Sequence, residues 1–224
     1  MGKFIIEAED GETYDIELEK DLLEANKKIA LENRKLFDKF KIKTIDVMGS
    51  IGSGKTSLIE NLVDKLKTKF KIAVINGDLT TTIDSNRIEK HGVNVIQINT
   101  GKECHLDANL VRKALGQLDL TNLDLIFIEN VGNLICPAEF PLGSSKRVVV
   151  ISITEGPYMV VKHPFIFIES DVAIINKIDL VDSMKVKIDD LIKDIEKINP
   201  GTKVVKVNCR ESKGIEEVIS ALEL

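Results

Sequence analysis

The sequence predicts an α/β fold: a mostly parallel sheet with helices on both faces, preceded by a short N-terminal hairpin and helix. Three observations carry this expectation. From residue 43 onward, short β-branched runs alternate with helical stretches, the pattern of strand–helix–strand units. Runs such as Leu125-Ile126-Phe127-Ile128 are apolar at every position, as strands covered on both faces must be. A length of 224 residues suits one large domain with a short appendage. The division expected is an appendage over 1–40 and the main domain over 41–224.

The elements follow in order. Residues 3–8 and 13–18 alternate around Asp10-Gly11 and read as a hairpin. Residues 19–40 lack Gly and Pro, and Leu22, Leu23, Ile29, Leu36 and Phe40 recur at loose helical spacing. One amphipathic helix packed on the main domain is expected there. Strands are predicted at 43–48, 71–76, 93–97, 123–129, 147–153, 171–176 and 203–207. Helices are predicted at 55–69, 85–90, 106–117, 184–198 and 214–222.

Composition excludes several classes. Hydrophobic residues make up 43% and charged residues 30%, which is ordinary for a globular core. The net charge of −5 does not point to nucleic acid, whose partners favour basic faces. Three cysteines, Cys104, Cys136 and Cys209, are too few and too odd for a disulfide framework. No apolar run is long enough to span a membrane, and the acidic N-terminus lacks a signal-peptide core. A soluble cytoplasmic protein is expected.

Gly49-Ser50-Ile51-Gly52-Ser53-Gly54-Lys55-Thr56 matches G-x-x-x-x-G-K-[ST] at every defined position. It lies between the strand Ile45–Met48 and a helical run opening at Ser57-Leu58, the context such a loop requires. Backbone N–H groups curl inward onto phosphates, and the following helix adds its positive dipole end. Lys55 supplies a charge for the outer phosphates, and the Thr56 hydroxyl is a Mg²⁺ ligand. The fold expectation thereby narrows to a P-loop NTPase.

Asn176-Lys177-Ile178-Asp179 closes a strand and selects the base. A carboxylate at Asp179 accepts two hydrogen bonds from the N1–H and N2–H₂ of guanine, a donor pair adenine lacks. The stem of Lys177 can cover the base. The loop Asn208-Cys209-Arg210-Glu211-Ser212-Lys213-Gly214 stands where a further base-supporting loop belongs, with Cys209 and Arg210 as candidates. GTP or GDP is therefore the expected nucleotide. Glu129 and Asp78, each at a strand end, are candidate carboxylates for Mg²⁺. No glutamine stands beside Gly132 to orient water, so slow intrinsic hydrolysis is expected. Asp46 and Asp84 stay open as water-positioning groups.

Cys104 and His105 are adjacent in a loop-to-helix segment, and Cys136 follows seven residues after Glu129. Cys and His favour Zn²⁺, Ni²⁺ or Cu over Mg²⁺. Three ligands fall short of a closed tetrahedral set, so water or a second chain would complete it. The alternative is two small core residues and a surface histidine.

Gly49–Thr56, TGKECHLDANLV (100–111), ENVGNLICPAEF (129–140), ITEG (153–156) and INKIDL (175–180) closely resemble the hydrogenase nickel-incorporation GTPases, the HypB family, over residues 43–222. The resemblance implies a GTP-gated metallochaperone for [NiFe]-hydrogenase maturation, acting with a maturation partner and the hydrogenase precursor. It implies GTP-dependent homodimerisation and a metal site of Cys104, His105 and Cys136 at the dimer interface. Lys162 is a candidate to reach the partner's γ-phosphate. One departure stands out: the first 40 residues contain no Cys and no His, so the high-affinity N-terminal nickel motif of some members is missing. His91 and His163 read as a helix-end or surface group and a loop residue. Rival readings are the sister urease-accessory GTPase, a small-molecule P-loop kinase, and a GTPase switch whose zinc is purely structural. Cys104-His105 in place of Cys-Pro-His argues against the first, and Asp179 against the second.

Overall fold

The structure, a computed structural model, describes residues 16–224, with side chains from residue 20 onward. Seven strands form one sheet in which every pairing is parallel. They are β1 (Lys43–Gly49), β2 (Ile72–Asp78), β3 (Asn94–Asn99), β4 (Leu125–Glu129), β5 (Lys146–Ser152), β6 (Val172–Asn176) and β7 (Lys203–Lys206). Their spatial order is β3-β2-β4-β1-β5-β6-β7. The chain leaves β1 for β2 on one side and later returns to pair β5 on the other. The carboxyl end of β1 is thus a topological switch point, where open α/β sheets place their ligands.

The longer helices of this domain are α2 (Lys55–Leu66), α3 (Ile83–Glu89), α4 (Ala108–Leu115), α9 (Ile188–Ile198) and α10 (Ile215–Ala221). Short helices α5 (Cys136–Glu139), α6 (Met159–Lys162), α7 (Pro164–Ile168) and α8 (Val181–Met184) fall in stretches where no separate helix was expected. Leu58, Ile59, Leu62, Val63 and Leu66 form one buried face of α2. That face meets Ile45 and Val47 of β1 in the same apolar cluster. Met48 points the other way, into the cluster beneath α6, α7 and α9. The predicted helix 184–198 is divided, because Lys185 takes a left-handed conformation with φ 52°. The predicted helix 106–117 starts later, at Ala108, where the Asp107 carboxylate caps it by accepting from the Leu110 N–H at 2.7 Å.

Helix α1 (Ile16–Phe40) begins inside the second strand of the predicted hairpin, so residues 16–18 are helical. The rest of that hairpin lies outside the described residues. Phe37 of α1 is buried with Ile75, Ile126 and Leu115. Two buried asparagines fix the helix laterally. Asn26 Oδ1 accepts from the Ala108 N–H at 2.7 Å, and its Nδ2 donates to the Pro141 carbonyl at 2.9 Å. Asn33 Nδ2 donates to the Ala108 and Leu142 carbonyls. The helix therefore braces the start of α4, three residues beyond His105.

Candidate functional site: a phosphate-loop cavity beside a thiol–imidazole cluster

A cavity of about 670 Å³ opens at the carboxyl end of the sheet. The phosphate loop, Asp78, Asp84, Arg87 and Glu129 line one part, and Asn176, Lys177, Asp179, Cys209 and Arg210 the other. Gly54, with φ 102°, enters α2 in a left-handed conformation, and a Cβ there would meet Asn176 Nδ2 at 2.2 Å. Only glycine allows the phosphate loop to approach the base-side loop this closely. Asn176 answers by donating to the Ser53 carbonyl at 2.9 Å and accepting from the N–H groups of Lys177 and Cys209. Its polar atoms hold three loops together. Lys177, also left-handed at φ 60°, donates from Nζ to the Gly52 carbonyl at 2.7 Å. Asp179 contributes to the cavity wall with no ion pair among the described residues.

Lys55 is nearly buried and donates to the carbonyls of Gly49 and Ser50. Burial pushes its ammonium below the ordinary lysine range, against the pull of Glu129. The Thr56 hydroxyl donates to Glu129 Oε1 at 2.6 Å, and Asn76 Nδ2 donates to Oε2 at 2.9 Å. Burial raises Glu129 to about 7, opposed by Thr56 and Lys55. Asp78 is more exposed. Burial alone would raise it, but the backbone N–H groups of Thr81 and Thr80 outweigh that and hold it low. Thr56, Glu129 and Asp78 thus present hydroxyl and carboxylate oxygens on one wall, the hard-oxygen donor set Mg²⁺ takes beside a phosphate. Ser53 Oγ is buried beside Gly49, away from the cavity lining, without a hydrogen-bond partner.

The strand β4 delivers Glu129 and then runs out through Asn130–Ile135 to Cys136 at the start of α5. Here the loop touches the phosphate loop: the Asn133 N–H donates to the Gly49 carbonyl at 3.0 Å. A Cβ on Gly132 would meet Ile51 at 2.4 Å. Asn133 Nδ2 also lies 3.6 Å from Cys136 Sγ. Cys104 Sγ is 2.9 Å from Cys136 Sγ and 3.9 Å from His105 Nδ1. One donor atom from each of the three residues falls within 4.8 Å of the others, and all three residues are half-buried. His105 stacks on Phe140, ring centroids 3.9 Å apart. Burial lowers its imidazole below the usual range, which favours the neutral, ligating form. Burial and the neighbouring Cys104 push the Cys136 thiol up to about 11, so a metal entering there would displace a proton.

Other expected residues fall elsewhere. Lys162 ends α6 and does not line the cavity of its own chain. Asp46 is fully buried in β1, pairs with Arg147, and stands outside the cavity lining, so it does not position water there. Asp84 does line the cavity, and its carboxylate engages Arg87 at 3.2 Å. His91 packs against Asp64, with Nδ1 2.9 Å from the carboxylate. Sequence reading missed Asn76, Arg87, Asn130, Asn133, Phe140 and Arg147. Asn76 closes an apolar strand run and Arg147 opens one after Lys146, positions that carry little signal of a buried role. Among the described residues no helix is long and apolar enough to cross a membrane.

A sheet with a phosphate loop at its switch point and a base-side loop beside it defines a P-loop nucleotide-binding domain. Residues 43–206 match the family "CobW/HypB/UreG, nucleotide-binding domain". Within that class the chain belongs to the HypB family of hydrogenase maturation factors. It is 51% identical over 208 residues to the probable hydrogenase maturation factor HypB of Methanocaldococcus jannaschii, covering 93% of this chain and 94% of that one. The crystal structure of HypB from Archaeoglobus fulgidus superposes with a TM-score of 0.83 at 39% identity, covering 89% of this chain and 98% of that one. HypB from Helicobacter pylori, crystallised in complex with nickel, superposes at 0.84 with 34% identity, covering 89% and 94%.

Proposed function

We propose that this chain is a GTPase whose nucleotide state governs a nickel site of Cys104, His105 and Cys136 during [NiFe]-hydrogenase maturation. The observation that carries the proposal is Asn133: its backbone holds the phosphate loop at Gly49 and its amide meets the Cys136 thiol. Whatever moves the loop after Glu129 therefore moves a metal ligand. The nickel-bound relative supports the choice of cargo. Lys55 and the loop N–H groups would bind the phosphates, and Asp179 the guanine edge. Thr56, Glu129 and Asp78 would hold Mg²⁺, which neutralises charge on the β- and γ-phosphates. Zn²⁺ suits the same three soft donors and is the natural competitor.

The metal cluster has three donors, and its surroundings favour a second copy of the chain as the source of the rest. Ile51 and Leu79 at the cavity and Ile135 beside Cys136 are all exposed, an apolar rim contiguous with both sites. A GTP-dependent homodimer closing over this rim would cover it, share thiolates, and bring Lys162 toward the other chain's phosphates. Loss of the γ-phosphate would relax the loop 130–135 and reopen the pair. The hydrogenase precursor and a maturation partner would then receive the metal.

The test is nickel and zinc titration with GDP and with a non-hydrolysable GTP analogue, for wild type and Cys136→Ala, alongside sedimentation velocity. Expected are a nucleotide-dependent affinity, lost in Cys136→Ala, and dimers only with the GTP analogue. Metal affinity that ignores nucleotide, with a single sedimenting species throughout, would reject the gate.

A further inference from the structure

Beneath the metal cluster, the sheet core holds a buried charge pair. Asp46 of β1 lies opposite Arg147 of β5 and Ile128 of β4 in the strand register. The Asp46 side chain is fully buried and that of Arg147 nearly so. Replacing such a pair by apolar residues is commonly neutral or stabilising, so stability alone does not explain it. Its hydrogen bonds lead elsewhere.

Arg147 Nε donates to Asp46 Oδ2 at 3.4 Å. Its Nη1 donates to the Ala138 carbonyl at 3.2 Å, and its Nη2 to the Pro137 carbonyl. Those carbonyls belong to the two residues after Cys136. On the other side, Asn130 Nδ2 donates to Asp46 Oδ1 at 3.2 Å. Asn130 Oδ1 in turn accepts from the Leu106 N–H at 3.0 Å. Leu106 directly follows His105 and is itself fully buried. The chain of bonds therefore runs from the Cys104-His105 arm, through Asn130, Asp46 and Arg147, to the Cys136 arm. These two loops share no strand pairing. Arg147 also reaches Glu169 and the Met48 sulfur, which fix its guanidinium plane.

We infer that Asp46, Asn130 and Arg147 form a buried clamp that positions the two ligand-bearing arms relative to each other, setting the affinity and geometry of the metal site. They are positioning residues, since none contacts the metal donors. The inference rests on the reading of Cys104, His105 and Cys136 as a nickel site. Partners of this outer kind typically weigh 10- to 100-fold in metal affinity. The guanidinium fork matters as much as the charge, because it holds two carbonyls and a carboxylate at once.

The experiment compares wild type, Asp46→Leu/Arg147→Met, Arg147→Lys, Cys136→Ala and the remote core variant Val218→Ala, each as the full chain. Four quantities are read: nickel affinity by chelator competition, the thiolate-to-nickel absorption band, fluorescent GDP affinity, and the thermal midpoint. The apolar pair is expected to fold, to bind GDP within about twofold of wild type, and to lose nickel affinity by about 10- to 100-fold with an altered band. Arg147→Lys keeps the charge and is expected to lose affinity in the same direction, by less. It carries the test if the double variant does not fold. Val218→Ala is expected to lower the midpoint and leave nickel binding unchanged. Wild-type nickel affinity and band in both clamp variants would overturn the inference. So would an equal nickel defect in Val218→Ala, which would make the effect one of general stability. If Cys136→Ala binds nickel like wild type, the site reading itself fails, and the clamp with it.

Discussion

The nucleotide cavity and the thiol–imidazole cluster adjoin each other but are built in opposite ways. The cavity stands on the ends of β1, β2, β4 and β6, with its anion donors drawn from one contiguous loop of backbone. Two of its charged groups are deeply buried: Lys55 and Glu129 each sit below a tenth exposed. The cluster draws its donors from two loops far apart in sequence, half-exposed, and joined by side-chain bonds through Asn130, Asp46 and Arg147. The contrast teaches where adjustability lies. Strand ends in a seven-stranded sheet resist movement, whereas two loops held by a few polar links can take a second arrangement.

The sharpest way to break this comparison is to disable one region and read the other. Lys55→Met is expected to lower GTP hydrolysis by on the order of 10³-fold, since it removes the only lysine within the phosphate loop. Nickel affinity measured with GDP should hold within about twofold. A parallel collapse of nickel binding would mean that the regions are not separable. Next in size, Asp179→Asn is expected to weaken GTP about 100-fold through loss of two charge-assisted bonds. It should also improve binding of xanthosine triphosphate, whose 2-oxo group accepts from an amide. Unchanged base preference in competition binding would remove Asp179 from the base site.

Glu129 sharpens the same comparison through pH. Its folded pKa, about 7, lies above the ordinary value of 4.5. The folded state therefore holds the proton more tightly than the unfolded chain. Stability is full below about 4.5 and falls as pH rises through about 7. Without nucleotide or divalent ions, Glu129→Gln should flatten this dependence and recover on the order of 2 kcal/mol at pH 7.5 in urea unfolding. Identical pH profiles for the two proteins would show that the carboxylate is not desolvated as the geometry requires. The smallest effect is expected from Asn133→Ala. Its backbone link to Gly49 persists, but the amide on Cys136 is lost. The ratio of nickel affinities between the GTP-analogue and GDP states should shrink by about tenfold, toward unity. A ratio equal to wild type would place the coupling elsewhere.

Legibility followed the same divide. The phosphate loop and the placement of Asn176–Asp179 on the cavity wall were readable because each motif is written in a few contiguous residues. The parallel sheet was readable because strands buried on both faces leave unbroken apolar runs. The three ligand-type residues were readable as residues, but not as a cluster, because Cys104 and Cys136 are separated by α4 and β4. Asp46 stayed open as a water-positioning group because it stands three residues before the phosphate loop. Strand alternation instead turns it to the opposite face from Ile45 and Val47. The second strand of the expected hairpin, 13–18, gives way at residue 16 to α1, whose apolar face finds a core with Ile75 and Leu115.

By itself, then, the sequence determined the fold class, the phosphate-loop motif and the presence of three residues of soft-donor type. All of these are set by local pattern and side-chain chemistry. Only the tertiary structure decided that Asn76 orients Glu129 and that Asn176 ties loops together. It alone decided that Arg147 reaches across from β5 to the arm carrying Cys136. Those roles depend on which strands become neighbours, and parallel pairing joins residues that no sequence spacing relates.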